Sequence, residues 1–278
     1  MHIVFSIYAL VLGLLVGSFL NVVISRMPEG RSVAYPPSHC PICGSNIRAY
    51  DNIPVLSWLI LKGACRDCKS GISPLYPVME LLTGLIALLI FWKYVPSIEA
   101  LNWANVSAAA YYFGFAATLI AITYIDIRHY IIPDQLSIYA IPFAVLGMLG
   151  LDYMGFVGAL SWKASVLGAT LGGGVLLLAA AVWWILRRTE GMGMGDVKLL
   201  ALIGAVLGPW PALFFILFAS SFLALFVILP LRIMRGNGFK HALPYGPFLA
   251  AAALLWILHG PYLMEFWLPG YEVIKINL

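Results

Sequence analysis

Charged residues are scarce in this sequence. Only 10% of the 278 residues are charged, whereas 62% are hydrophobic and the mean hydropathy is +0.95. Such a chain has too little polar surface to cover a water-soluble globule, so we expect a polytopic protein whose partner is the lipid bilayer. The net charge of +4 could indicate an acidic partner, but a basic excess in a membrane protein usually reflects the topology of its loops. We therefore expect no nucleic-acid partner.

Long polar segments are almost as rare. A bilayer core about 30 Å thick needs roughly 20 apolar residues per helix, and runs near that length recur along the chain. The pattern predicts an all-α fold of about eight transmembrane helices. They are expected near residues 3–25, 77–95, 104–125, 135–151, 164–186, 197–208, 211–230 and 246–266. The first run lacks a basic n-region, which favours a retained helix over a cleaved signal peptide.

The distribution of positive charge predicts the orientation. With the amino terminus outside, thirteen of the sixteen Lys and Arg residues fall in cytosolic segments, as the positive-inside rule requires. We therefore expect both termini outside and Asp126, Asp134 and Asp196 at the cytosolic face. The predicted domains are a first transmembrane helix (1–25), a cytosolic module (26–76), a seven-helix membrane domain (77–266) and a C-terminal tail (267–278).

Cysteine is limited to four residues, all within the polar module. They form the pairs Cys40-Pro-Ile-Cys43 and Cys65-Arg-Asp-Cys68, separated by 21 residues. Two such pairs suit one tetrahedral zinc ion, and four thiolates leave no open position for water, so a structural zinc is predicted. Two disulfides are the alternative, which the reducing cytosol disfavours. Zinc would also stabilise a module of about 50 residues that is too small for a large core.

Acids are rare near the predicted membrane, which draws attention to the segment from Tyr124 to Asp134. Asp126 ends an apolar run, where the helix dipole disfavours a negative charge, so an altered protonation state or a functional partner is expected. Asp134 follows Pro133 and is predicted to cap the next helix. His129 is expected to be solvated rather than to act on Asp126.

The glycine-rich stretch Glu190-Gly-Met-Gly-Met-Gly-Asp196-Val-Lys198 contains the second notable acid. A flexible loop and an anion cradle are alternatives, but the Gly-x-x-x-x-Gly-Lys spacing of a phosphate loop is absent. The apolar run after Asp196 ends at Gly208 and would rise only about 18 Å as a helix. This helix must start below the membrane surface, where irregular backbone persists only beside a water-filled cavity.

Two neighbouring carboxyl groups cannot both ionise cheaply, so one tends to keep a proton. The ionised group can then accept a proton from water as the water attacks a carbonyl, and the protonated group can polarise the carbonyl oxygen. This chemistry needs no cofactor. Other nucleophiles are poorly placed: Ser18, Ser220 and Ser221 lie in apolar sequence, and no His or Lys is spaced as their base.

These motifs closely resemble the type IV prepilin leader peptidases, the Gly-x-Gly-Asp class of intramembrane aspartic proteases. The resemblance covers nearly the whole chain. Besides the four cysteines, the matching points are Gly17-Ser-Phe-Leu-Asn21, Tyr76-Pro77 with Glu80, Asp126 with Pro133-Asp134, Gly193-Met-Gly-Asp196, and Pro244-Tyr-Gly-Pro247-Phe248.

The resemblance implies that Asp126 and Asp196 are the catalytic pair, with Gly193 and Gly195 in the loop that supports Asp196. It further implies prepilin or type II secretion pseudopilin substrates, cut after a glycine at the inner face of the bacterial cytoplasmic membrane. A second activity, methylation of the new amino terminus with S-adenosylmethionine, is also implied, and Glu80 is the candidate residue for it.

Two other functions remain open from the residues themselves. An ion-coupled transporter also uses buried acids at short, broken helices, but it needs acids near the bilayer midplane and often has repeated halves. A non-catalytic scaffold for pilus or secretion assembly would use the zinc module for docking, and it leaves the paired acids unexplained.

Overall fold

The computed structural model describes residues 1–189, 193–235 and 244–267. Across these ranges the chain is helical and has no β-strand, only two isolated β-bridges in the cysteine module. The helices described are α1 (His2–Arg26), α2 (Leu56–Ile60), α3 (Leu75–Tyr94), α4 (Trp103–His129), α5 (Ala140–Tyr153), α6 (Trp162–Arg187), α7 (Met194–Leu207), α8 (Ala212–Arg235) and α9 (Gly246–Trp267). Two short 3₁₀-helices, Met27–Glu29 and Ala49–Asp51, flank the first part of the module.

The helical prediction is confirmed, and the eight longer helices coincide with the eight predicted runs. Five of them, α1, α3, α4, α6 and α8, are long and apolar enough to cross a membrane. Helices α5 and α7 have only 14 residues each, and the apolar stretch described in α9 is Gly246–Gly260. Whether these three cross fully stays a prediction. Glu190, Lys240 and residues 268–278 of the predicted tail lie outside the described residues.

The chain divides into two compact units, residues 1–121 and residues 122–278, with the boundary inside α4. In the first unit, α1 packs along α3. A β-carbon on Gly17 would lie 2.7 Å from the Cα of Glu80, and one on Gly13 would lie 2.8 Å from the Cα of Gly84. The two backbones therefore touch, as in membrane helix pairs whose interfaces are built from small residues.

In the second unit, α7 lies at the centre and packs against α5, α6, α8 and α9. Leu199, Leu200 and Ile203 are fully buried, which fits a helix that is apolar on every side. The backbones of Gly168 in α6 and Gly204 in α7 are in direct contact. This central helix holds Asp196 in its first turn.

Candidate active site

Asp126 lies in the last turn of α4 and is only 6% exposed. Its Oδ2 accepts a hydrogen bond of 3.1 Å from the backbone N–H of Gly246, the first residue of α9. A carboxylate at a helix C-terminus meets an unfavourable dipole, whereas the N-terminus of another helix offers a favourable one. The partner expected for Asp126 is therefore the start of α9.

Asp196 is the third residue of α7, whose N-cap is Gly193. Its side chain is half-buried, and its backbone N–H donates to the carbonyl of Gly193 at 3.2 Å. A β-carbon on Gly193 would lie 3.8 Å from Asp196 Oδ2, so this glycine borders the carboxyl group.

Ile132 fills the space between the segments that carry the two acids. It is 9% exposed, and a β-carbon on Gly195 would lie 3.2 Å from its Cβ. A β-carbon on Gly246 would lie 3.3 Å from its Cδ1 and only 2.6 Å from Asp126 Oδ2. Glycine at both positions thus lets the starts of α7 and α9 approach the same isoleucine, beside the carboxyl of Asp126.

Asp134 does not cap α5, so that prediction was wrong. Residues 134–139 form turns, and α5 begins at Ala140 with no side-chain cap from its N-cap residue, Tyr139. The Asp134 carboxylate instead pairs with Lys198 Nζ at 2.6 Å. A helix was expected directly after Pro133, but the ion pair holds this segment against the first turns of α7. His129 is exposed, as predicted.

Two serines set aside as nucleophiles have a different partner. The hydroxyl of Tyr245, which directly precedes α9, is 2.7 Å from Ser220 Oγ and 3.3 Å from Ser221 Oγ. Sequence reasoning treated Tyr245 and Gly246 only as part of a matching motif and counted Lys198 only as a topological charge. An unusual serine pair inside apolar α8 was the one signal that a polar partner had to lie nearby.

The four cysteines form one cluster, with Sγ atoms that all lie within 4.8 Å of one another. All four are free thiols, so the disulfide alternative finds no support. Each pair begins a tight knuckle: the N–H of Cys40 donates to Ser45 O at 2.9 Å, and the N–H of Cys65 donates to Ser70 O at 2.8 Å. The matched knuckles bring the thiols together in an arrangement that can hold a metal ion.

Local hydrogen bonds also prepare one thiol for a metal. The backbone N–H groups of Cys43 and Ile42, followed by the hydroxyl of Ser70, lower the pKa of Cys40 to about 6. Metals bind the thiolate form, which this environment favours. The linker between the knuckles is fastened to the second one by Arg66, which donates to both carboxylate oxygens of Asp51 at 2.7 and 2.6 Å.

Glu80 connects the module to α3. Its side chain is 8% exposed, and Oε2 accepts a hydrogen bond of 2.7 Å from the backbone N–H of Val55, the N-cap residue of α2. Val55 has φ of 63°, a conformation that β-branched residues rarely adopt. The buried carboxylate therefore holds a strained turn of the module against the second turn of α3.

Two family models match the chain. Residues 11–94 match the "Bacterial Peptidase A24 N-terminal domain" and residues 113–229 match the "Type IV leader peptidase family". A "Prepilin leader peptidase/N-methyltransferase" of Aeromonas hydrophila is 35% identical in an alignment that covers 93% of this chain and 92% of that protein. The chain belongs to the type IV leader peptidase family.

Proteins of the same name in Dichelobacter nodosus and Pseudomonas putida are each 36% identical, and the alignments cover 89% and 92% of this chain. No solved structure matches it. The resemblance inferred from the motifs is thereby confirmed, and this member of the leader peptidase family is an enzyme. The five apolar helices and the family together fit a multi-pass membrane protein.

Proposed function

We propose that this leader peptidase is an aspartic endopeptidase that uses Asp126 and Asp196 to remove the leader from type IV prepilins or type II secretion pseudopilins. The observation that supports this most is a shared neighbour of the two acids. Ile132 borders Gly195, which directly precedes Asp196 in α7, and Gly246, whose N–H donates to Asp126 at the end of α4. In the proposed mechanism, one carboxylate accepts a proton from water as the water attacks the scissile carbonyl. The other carboxyl, protonated, donates a hydrogen bond to the carbonyl oxygen, and the first carboxyl then passes the proton that it took from water to the leaving amine.

The position of the acids supports cleavage at one membrane face. Asp126 ends one helix, whereas Asp196 and Gly246 begin others, so the described geometry gathers helix ends rather than helix centres. An ion-coupled transporter would instead need acids near the midplane. We propose that the gathered ends lie at the cytosolic face of the bacterial cytoplasmic membrane, with the cysteine module on the same side and both termini outside. The predicted division into 1–25, 26–76, 77–266 and 267–278 belongs to this proposal.

The catalytic pair can be tested with purified full-length protein in lipid nanodiscs and a precursor that carries a basic leader before a hydrophobic helix. Asp126→Asn and Asp196→Asn should each bind the precursor and leave it uncut on a gel. Asp152→Asn, which changes an exposed acid of α5, is the matched control and should cut normally. Full cleavage by either active-site variant would remove that residue from the mechanism.

We propose that the cysteine cluster binds a structural zinc ion through Cys40, Cys43, Cys65 and Cys68. Four thiolates complete a tetrahedral shell, so the metal would stabilise the module and take no part in peptide cleavage. Elemental analysis should find one zinc per chain, and Cys43→Ser should lower both zinc content and the thermal stability of the protein. Zinc-free protein with unchanged stability would refute the proposal.

We also propose that the enzyme methylates the new amino terminus after cleavage. S-adenosylmethionine would supply the methyl group. A buried carboxylate can bind a cationic amine or sulfonium group. Oε2 of Glu80 accepts the hydrogen bond from Val55, so Oε1 is the oxygen that would bind the cation. Mass spectrometry of the cleaved product with and without the methyl donor tests this activity. Glu80→Gln should reduce methylation and leave cleavage intact, whereas equal loss of both activities would indicate a role in folding alone.

A further inference from the structure

The first residue of α9, Gly246, contacts Asp126 through its backbone N–H. Within the first three residues of α9, Pro247 has no N–H, and the N–H of Phe248 donates to the carbonyl of Tyr245 at 3.0 Å. The N–H of Gly246 is therefore the donor left to face Asp126, and it lies 3.1 Å from Oδ2. Its direction decides where the carboxyl of Asp126 is held.

That direction is set by Tyr245, because the two residues share one planar peptide group. In a trans peptide, the carbonyl of Tyr245 and the N–H of Gly246 point in opposite directions, so fixing one fixes the other. The carbonyl accepts from the N–H groups of Phe248 and Leu249 at 3.0 and 3.3 Å, in the first turn of α9. The backbone side of this peptide is thus tied to α9.

The side chain of Tyr245 is tied to a different helix. Its hydroxyl lies 2.7 Å from the Oγ of Ser220, which is fully buried in α8, and 3.3 Å from the Oγ of Ser221. Each serine hydroxyl can also donate to the carbonyl of Leu217, at 3.1 and 2.8 Å. When both serine hydroxyls donate in this way, the hydroxyl of Tyr245 donates its proton to Ser220 Oγ. This arrangement provides every hydroxyl with a partner in apolar surroundings.

We propose that Tyr245 is a positioning residue for peptide cleavage, held by Ser220 and Ser221 so that the N–H of Gly246 points at Asp126. The inference rests on the proposed role of Asp126 as a catalytic acid. The hydroxyl of Tyr245 is bonded to α8, so its loss should slow the chemical step without weakening precursor binding. Displacing a catalytic group by about 1 Å can slow the reaction about 100-fold.

The test compares Tyr245→Phe and Ser220→Ala with the unchanged enzyme in nanodiscs, using the precursor cleavage assay under steady-state conditions. Tyr245→Phe should lower kcat about 10-fold and leave KM within about twofold. Ser220→Ala removes the same bond from the α8 side, so the double variant should be no slower than the slower single variant. Ser220→Thr keeps a hydroxyl and should recover most of the rate.

The matched control is Tyr262→Phe, which removes a hydroxyl from an exposed tyrosine of α9 and should leave kcat unchanged.

Thermal unfolding of each variant separates an effect on positioning from an effect on folding. Wild-type kcat in folded Tyr245→Phe, a change confined to KM, or rate losses that multiply in the double variant would overturn the inference. If Tyr245→Phe folds poorly, Ser220→Ala and Ser220→Thr still decide the question. Activity in Asp126→Asn would instead refute the proposed function itself, whereas inactive Asp126→Asn with fully active Tyr245→Phe refutes only the positioning role.

Discussion

Replacing Gly246 with alanine tests the proposed geometry at Asp126 most directly. The backbone of Gly246 is outside the left-handed region, so alanine fits its conformation and retains the N–H that donates to Asp126. The added β-carbon, however, would lie 2.6 Å from Asp126 Oδ2, whereas ordinary contact starts at 3.4 Å. The change therefore acts through space on one carboxyl oxygen of Asp126.

The size of the effect follows from what can move. Asp126 Oδ2 is the end of a side chain, so the carboxyl can rotate away, but this residue is 6% exposed and the same β-carbon would lie 3.3 Å from Ile132. A shift that restores contact distance approaches 1 Å, and misplacement of that size can slow catalysis by about 100-fold. We expect kcat to fall about 10- to 100-fold, with overpacking lowering stability by about 1–3 kcal/mol.

The assay is steady-state cleavage of a precursor by the full-length protein in nanodiscs, with thermal unfolding measured in parallel. Gly174→Ala is the control, because a β-carbon there meets no atom within 4 Å, and it should cleave normally. Folded Gly246→Ala protein with wild-type kcat would show that the oxygen of Asp126 need not occupy the described position. The reasoning about α9 as the partner of Asp126 would then fail.

Three further predictions concern the surroundings of the site. Asp134→Asn and Lys198→Met should each slow cleavage by less than about fivefold, since a half-exposed ion pair contributes up to about 1 kcal/mol. If the double variant lost the product of the two single rate reductions, the two residues would not act as one ion pair. Lys69→Gly should raise the unfolding midpoint of the zinc-loaded protein, because Lys69 has φ of 59° and the left-handed region costs a non-glycine residue about 1 kcal/mol; an unchanged or lower midpoint would refute this. Gly204→Ala should lower the midpoint in a melt in detergent, because its β-carbon would strike the carbonyl of Gly168, and overpacking costs about 1–3 kcal/mol; full stability would show that α6 and α7 can separate without loss.

Some features of the site were readable from spacing alone. The two Cys-x-x-Cys pairs predict a thiol cluster, because each pair places two thiols on one tight knuckle. In the structure all four Sγ atoms lie within 4.8 Å of one another. Asp126 stood out because an acid at the end of an apolar helix needs a compensating partner. The shortness of the run after Asp196 likewise predicted α7, which has 14 residues.

The error at Asp134 shows where local rules stop. Proline followed by an acid is a common helix start, but a residue with a charged partner available need not cap a helix. Lys198 is 64 residues away in the chain and meets Asp134 at 2.6 Å. No pattern within the segment 131–139 could signal that partner.

The sequence by itself determined the helical membrane architecture and the cysteine cluster, and it singled out Asp126 and Asp196, because hydrophobic run length and ligand spacing are properties of neighbouring residues. Only the tertiary structure decided what holds those acids. Gly246 lies 120 residues from Asp126, and Tyr245 lies 25 residues from Ser220. Such contacts arise when separate helix ends pack together, and their hydrogen bonds depend on distances that no local sequence pattern specifies.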